Sequence, residues 1–203
     1  MSTLKSYTVG FICALILIAS TSCGVNPGSE DEVAVIDTSY GKIVIEFFPK
    51  EAPRHVANFK QLARENFFDG TKFHRLVKDK GQNIAIQGGD PNTISGDPST
   101  WGRGAPNQKT VRAEFSKTLQ HLRGMVSMAR KGNDENSANS QFFIVTSDYH
   151  EWDGKYSIFG KVIDGMKVVD SIIRAPVVSG TDRPVDPVVV NHVSIVKRDQ
   201  IKQ

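Results

Sequence analysis

The chain is poor in the residues from which most reactive sites are built. Its 203 residues include two cysteines, Cys13 and Cys23. Cys13 lies inside an N-terminal apolar run, so the body of the chain is left with neither a disulfide pair nor a thiolate cluster. The five histidines, His55, His74, His121, His150 and His192, show no H-x-H or H-x-x-x-H spacing and have no carboxylate cluster beside them. That argues against a bound metal. There is no G-x-S-x-G elbow, and Ser127 falls in a strand-like Ser-Met-Ala run, which argues against a serine nucleophile. Phosphate cradles are absent too, since Gln-Gly-Gly-Asp at 87–90 and Gly-Arg-Gly at 102–104 fit neither a P-loop nor a G-x-G-x-x-G pattern. Charge of one sign is not concentrated. Twenty-five basic and 22 acidic residues are mixed along the chain for a net charge of +3, and nucleic-acid binding is excluded for want of a basic stripe.

What is present is ordinary for one globular domain: 39% hydrophobic and 23% charged residues. The N-terminus departs from that average. Residues 1–22 carry Lys5 as their one charge, followed by the apolar run Val9 to Ala19, too short to span a bilayer and arranged as a secretory signal peptide is. Cys23 follows three small residues and precedes a polar Gly- and Pro-containing linker, as the lipidated cysteine of bacterial lipoproteins does. Ser20 stands where an aliphatic residue is usual there, and Ser20 and Ser22 equally suit an ordinary signal peptidase that would release a soluble periplasmic protein. The expectation is a signal peptide at 1–22, a linker at 23–32 behind a lipidated Cys23, and one domain at 33–203. It localises the chain to the periplasmic side of a bacterial membrane. Gly24, in place of the Asp that often signals inner-membrane retention, points to the outer one.

Beyond the linker the pattern is mostly short strands. Val33 to Thr38 and Lys42 to Phe48 are β-branched runs joined by a Ser-Tyr-Gly turn. Pro49 and Pro53 close the second run and open a helix from Ala52 to about Glu65, with Val56, Phe59, Leu62 and Ala63 on one face. Further strands are expected at Lys72 to Val77, Ile84 to Gly88, Gly124 to Ala129, Gln141 to Val145, Ser157 to Val162 and Val188 to Lys197. A second helix, Met166 to about Arg174, turns Val169, Ile172 and Ile173 inward. Long polar loops at 91–108 and 131–140 are of the kind that carries function. Many short strands with two helices favour a closed antiparallel barrel over a doubly wound sheet.

Within this frame His74 and Arg75 point to opposite faces of a strand, as do Phe142 and Phe143. The bland reading of His74 is a core histidine bonded to a backbone carbonyl. What remains for chemistry is one arginine, amides, aromatics and a Gly-Gly pair, an inventory that suits a groove for an extended peptide. The runs KFHR, IQGGD, GMVSMA, NSQFFIVT and DGKYSIFGKV, in this order, resemble the cyclophilin type of peptidyl-prolyl cis-trans isomerase over about Val33 to Lys197. Single pieces would be weak, but five in order are specific.

That resemblance implies a mainly β fold, a closed eight-stranded antiparallel barrel capped by two helices, with no cofactor and no metal. It implies a monomer that binds proline-containing polypeptides and isomerises the X-Pro bond. Arg75 takes the catalytic place and Gln87 orients the peptide. Phe143 floors the proline pocket with Gln141 beside it, Ile84 and Ala85 form its wall, and Ala129 and Arg130 line the adjoining edge. Trp152 and Tyr156 complete the substrate-binding set.

The chain departs from the family in five places. Eleven residues separate Arg75 from Gln87, a longer connection than usual, with KDKGQN as the insertion. Ile84 stands for an aromatic, Arg130 for the usual Asn, and Tyr156 for a frequent His. Trp152 also sits one residue too close to Asp-Gly-Lys. The function expected is isomerisation during folding of exported proteins; the alternative is a catalytically weak proline-peptide-binding or chaperone module of the cell envelope.

Overall fold

The computed structural model describes residues 31–202. The expected signal peptide at 1–22, Cys23 and nearly all of the linker lie outside the described residues.

The chain opens with a hairpin, β1 (Glu32–Thr38) and β2 (Gly41–Phe47), joined through Ser39 and Tyr40. Thr38 Oγ1 donates to the Gly41 carbonyl at 2.6 Å and fixes the turn. Helix α1 (Pro53–Arg64) follows. Proline suits its first position, but Ala52 has no side chain with which to cap it. The missing acceptor comes from far along the chain, where Glu114 Oε2 accepts from the Arg54 and His55 amides at 3.0 and 3.1 Å. A carboxylate at this end also complements the helix dipole.

Next come β3 (Arg75–Asp79) and β4 (Gln82–Gly88), then β5 (Met125–Met128), β6 (Phe142–Val145) and β7 (Ile158–Asp164). Helix α2 (Met166–Ile173) and β8 (Val190–Lys197) complete the fold. All eight strands belong to one antiparallel sheet in the order β3-β4-β6-β5-β7-β2-β1-β8.

The expected closed barrel is corrected here. The sheet is an open, curled run whose end strands β3 and β8 are not joined by a ladder. Its two ends meet where the chain enters β3: Val190 accepts from the Gly70 amide and donates to the Thr71 carbonyl, both at 2.8 Å, Lys72 forms an isolated bridge with Val189, and the Phe73 amide donates to the Val188 carbonyl at 3.0 Å. Pairing cannot extend further, because the segment before β8 contains Pro184 and Pro187, which have no N–H to donate. The outer edge of β3 bonds instead to a turn, with the Leu76 amide donating to the Asp182 carbonyl at 2.7 Å.

Period-two alternation divides the buried apolar residues into two clusters on opposite faces of the sheet. The larger joins Ile86, Val126, Met128, Phe142 and Ile144 to both helices. In it α1 contributes Val56, Phe59 and Ala63, and α2 contributes Val169, Ile172 and Ile173. Lys60 was not expected inside, yet its side chain is buried. Its ammonium lies 3.0 Å from Glu32 Oε2 and 4.8 Å from the centre of the Phe47 ring. The smaller cluster, Ala85, Met125, Phe143, Val145 and Ile158, lies on the other face. A cleft opens above it.

Candidate active site

The cleft has a volume of about 920 Å³, at the upper end of the usual range for ligand sites and ample for an extended peptide. The strand pair β3–β4 supplies its polar centre. Arg75 and Gln87 are direct partners in the ladder, so both side chains emerge on one face. Arg75 is half-exposed, and its Nε donates to Asp182 Oδ2 at 3.1 Å. Its two Nη groups make no hydrogen bond to any described residue. Gln87 Nε2 donates to Gln141 Oε1 at 2.9 Å, and Gln141 Nε2 donates onward to the Gly102 carbonyl at 3.1 Å. This amide chain fixes both glutamine side chains across the cleft.

Next to it lies an aromatic pocket. Phe143 is its floor, only 4% exposed, with Trp152 edge-on at 4.9 Å between centroids and Tyr156 edge-on at 5.4 Å. His121 is stacked under Phe143 at 6.1 Å. Ala129 and Arg130 border the pocket. The Arg130 guanidinium lies 4.9 Å from the centre of the Tyr156 ring, and its Nε donates to the Lys155 carbonyl at 3.1 Å.

The wall differs from expectation. Ile84 does not line the cleft. Gln87 faces the cleft, so Ala85 shares that face and Ile84 points away from it. The register confirms the departure: Val77 pairs with Ala85 but Lys78 with Asn83, which leaves Ile84 as the extra residue of a bulge. Ala85 is fully buried beneath Phe143, and Val77 takes the exposed place on the wall. Trp152 reaches the pocket despite its shortened spacing.

Several lining groups carry no local sequence signal. The Gln-Gly-Gly-Asp run builds the far rim. Gly89 has φ +82, and a Cβ there would meet the Ser140 carbonyl at 2.5 Å, so only glycine fits. Asp90 is fully buried and accepts from the amides of Asn92 and Gly102, which folds the following loop back on itself. That loop presents Trp101, whose ring lies under Lys72 and Arg183 at 5.5 and 5.9 Å. A large aromatic inside a polar loop is the one clue that the sequence offered. His74 is buried as the bland reading expects. Its Nδ1 lies 3.4 Å from the Lys72 carbonyl, and burial holds its pKa below the ordinary histidine value.

Beneath the pocket, Asp153 Oδ1, His121 and Ser127 Oγ form a line, with contacts of 2.9 and 3.0 Å at the two ring nitrogens. Burial lowers the His121 pKa, so the ring is neutral, donating from Nδ1 to Asp153 and accepting at Nε2 from Ser127. Burial works to raise Asp153, but hydrogen bonds from the His121 amide and the rings of His121 and His150 hold it below the usual carboxylate value. Ser127 and His121 are both fully buried, so no substrate carbonyl can reach the hydroxyl. The line supports the floor under Phe143; it is not a hydrolytic triad.

Comparisons with known proteins agree with this geometry. The family model for cyclophilin type peptidyl-prolyl cis-trans isomerase/CLD matches residues 33–195. Peptidyl-prolyl cis-trans isomerase-like 3 of Gallus gallus is 38% identical over 162 residues, 79% of this chain and 93% of that protein. Peptidyl-prolyl cis-trans isomerase-like 1 of Rhizopus delemar is 42% identical over 143 residues, 70% of this chain and 79% of that protein. Among solved structures, a Cryptosporidium parvum cyclophilin type isomerase crystallised in the presence of the dipeptide Ala-Pro is 29% identical. It superposes with a TM-score of 0.70 over 81% of this chain and 99% of that one. The chain belongs to the cyclophilin-type peptidyl-prolyl cis-trans isomerase family.

Proposed function

We propose that this protein accelerates X-Pro isomerisation in exported polypeptides and that Arg75 is its catalytic group. The observation that carries the reading is the setting of Arg75. A permanently charged donor with free Nη groups stands beside an aromatic pocket floored by Phe143, opposite a fixed amide from Gln87.

The chemistry asks for no more than this. Rotation about a peptide bond is opposed by about 18–20 kcal/mol because the nitrogen lone pair is delocalised into the carbonyl, and X-Pro bonds interconvert unaided over tens to hundreds of seconds. In the twisted state the lone pair is localised on nitrogen and can accept a hydrogen bond. Phe143, Trp152 and Tyr156 hold the ring, and the Arg75 guanidinium donates toward that nitrogen. Arginine does not deprotonate in proteins, so the interaction is electrostatic and involves no proton transfer. No covalent intermediate forms. Gln87 and Gln141 restrain the peptide so that rotation occurs within the bound segment.

The test is isomerisation of a short X-Pro peptide by the mature chain and by Arg75→Ala. Loss of one preorganised donor should lower kcat/KM by roughly 100-fold. An unchanged rate in the mutant would remove Arg75 from its role, and a parent rate at background would leave a binding module. The same reading has the domain act as a monomer held at the periplasmic face of a membrane by lipid on Cys23. The mass of the mature N-terminus checks this, since a soluble product with unmodified Cys23 contradicts it.

A further inference from the structure

We propose that Asp182 is a positioning residue that aims the Arg75 guanidinium into the cleft. This rests on the reading of Arg75 given above. Asp182 is attached to β3 twice. Its carbonyl accepts from the Leu76 amide at 2.7 Å, and its carboxylate accepts from Arg75 Nε at 3.1 Å. One residue therefore grips two consecutive positions of the strand, one through its backbone and the other through its side chain.

The turn that carries Asp182 is itself built to stay in place. The Val178 amide donates to the Arg183 carbonyl at 2.9 Å, and Val177 pairs with Pro184 in an isolated bridge. Thr181 closes the turn, its hydroxyl donating to the Val178 carbonyl at 2.8 Å and accepting from the Arg183 amide at 3.2 Å. The carboxylate is thus presented from a braced hairpin that covers the free edge of β3.

What the contact does follows from guanidinium geometry. The donors lie in one plane in a rigid fork, so engaging Nε fixes that plane and leaves the outer edge formed by the two Nη groups held in place for a ligand. Without a partner at Nε, a long half-exposed arginine samples many rotamers, and each productive encounter must select one of them. A pair this exposed contributes little to folding. Its consequence therefore lies in the rate. An aimed donor lowers the barrier more than it tightens the ground state, so the effect belongs in kcat.

Asp182→Ala removes the side-chain contact and leaves the main-chain bond to Leu76 in place. Asp182→Asn keeps an acceptor for Nε. In an X-Pro peptide assay Asp182→Ala should lower kcat by about five- to tenfold with KM within about twofold, and Asp182→Asn should recover most of the loss. In an Arg75→Ala background, Asp182→Ala should have no further effect on kcat. An unchanged kcat, a loss confined to KM, or a full additional loss in the Arg75→Ala background would each overturn the proposal. If Arg75→Ala is itself silent, the reading of Arg75 fails instead, so the two failures are separable. A second measurement uses the unaltered protein: the Arg75 Nε–H should exchange with solvent more slowly than an arginine Nε–H of the denatured chain. Equal exchange would rule the aiming contact out.

Discussion

Phe142 and Phe143 are neighbours on β6 with almost equal exposure, 1% and 4%, yet they belong to different regions of the molecule. Phe142 packs edge-on against Phe59, Phe68 and Phe73 at 5.4, 5.9 and 6.0 Å, closed in by α1. Phe143 has a histidine beneath it and two edge-on aromatics beside it, but a cleft above. One face of the sheet is sealed by helices, and the other is sealed only where no ligand is needed. Degree of burial alone does not distinguish a core residue from a pocket floor. The identity of the neighbours does.

The largest expected effect breaks this pair apart. Phe142→Ala should cost about 3–5 kcal/mol of stability, since a closed aromatic cluster cannot collapse onto the void. The activity of the folded fraction should stay within about twofold of the parent. Phe143→Ala should cost less stability, near the lower end of that range because its site already opens to solvent, while kcat/KM falls by at least about tenfold. Denaturant titration paired with the peptide assay reads both quantities. Equal losses of activity in the two variants would dissolve the distinction.

Acid sharpens the same contrast through two buried histidines. His121, under the cleft, has Asp153 and Ser127 as partners. His55, on the helix side, is fully buried, and neither of its ring nitrogens makes a hydrogen bond of normal geometry. Burial pushes His55 down to about 4, with the nearby Arg54 charge acting the same way and the Arg112 backbone opposing them. The folded-state value lies below the unfolded value of 6.5, so the unfolded chain takes up the proton first. His55 therefore supports the fold above pH 6.5, and that support is lost as pH falls from 6.5 to about 4, by about 3 kcal/mol at completion. His55→Leu should flatten the fall in stability over this window. A slope identical to that of the parent would show that His55 is not held neutral.

The strands were legible because alternation and β-branching are local properties, and the two helices because their apolar spacing is. Arg75, Gln87 and Phe143 were reachable by motif and by the face on which each must emerge. What failed were statements that depend on contacts distant in sequence. Ile84 was assigned to the wall because it aligns with an aromatic position, but alternation along β4 leaves it on the opposite face from Gln87, with Val77 of the partner strand in its place. The barrel was expected to close, but the prolines before β8 end the ladder. Asp182, 107 residues from Arg75, and Glu114, 60 residues from Arg54, are both ordinary loop carboxylates in the sequence. Only the fold reveals what each one holds.

The smallest predicted effect concerns the insertion itself. KDKGQN lengthens the β3–β4 hairpin by a two-residue turn in which Lys80 and Gly81 both have positive φ, 47° and 82°, as a type I′ turn requires. This brings Asp79 to the far wall, where it accepts from the Tyr149 hydroxyl at 2.9 Å. That bond, with a second to Glu151, raises the Tyr149 pKa to about 12. The Tyr149 ring in turn packs edge-on against Trp152 at 4.8 Å. The extension thus steadies the aromatic whose spacing to Asp-Gly-Lys is one residue short, and the added hairpin offsets the shortened turn. Asp79→Ala should leave kcat unchanged and raise KM by about two- to threefold, because it loosens a wall of the pocket without touching Arg75. Shortening the hairpin to a direct turn at Val77 should produce the same change in KM. If neither alteration moves KM, Trp152 is held by its other ring neighbours, Phe143, Tyr156 and His121.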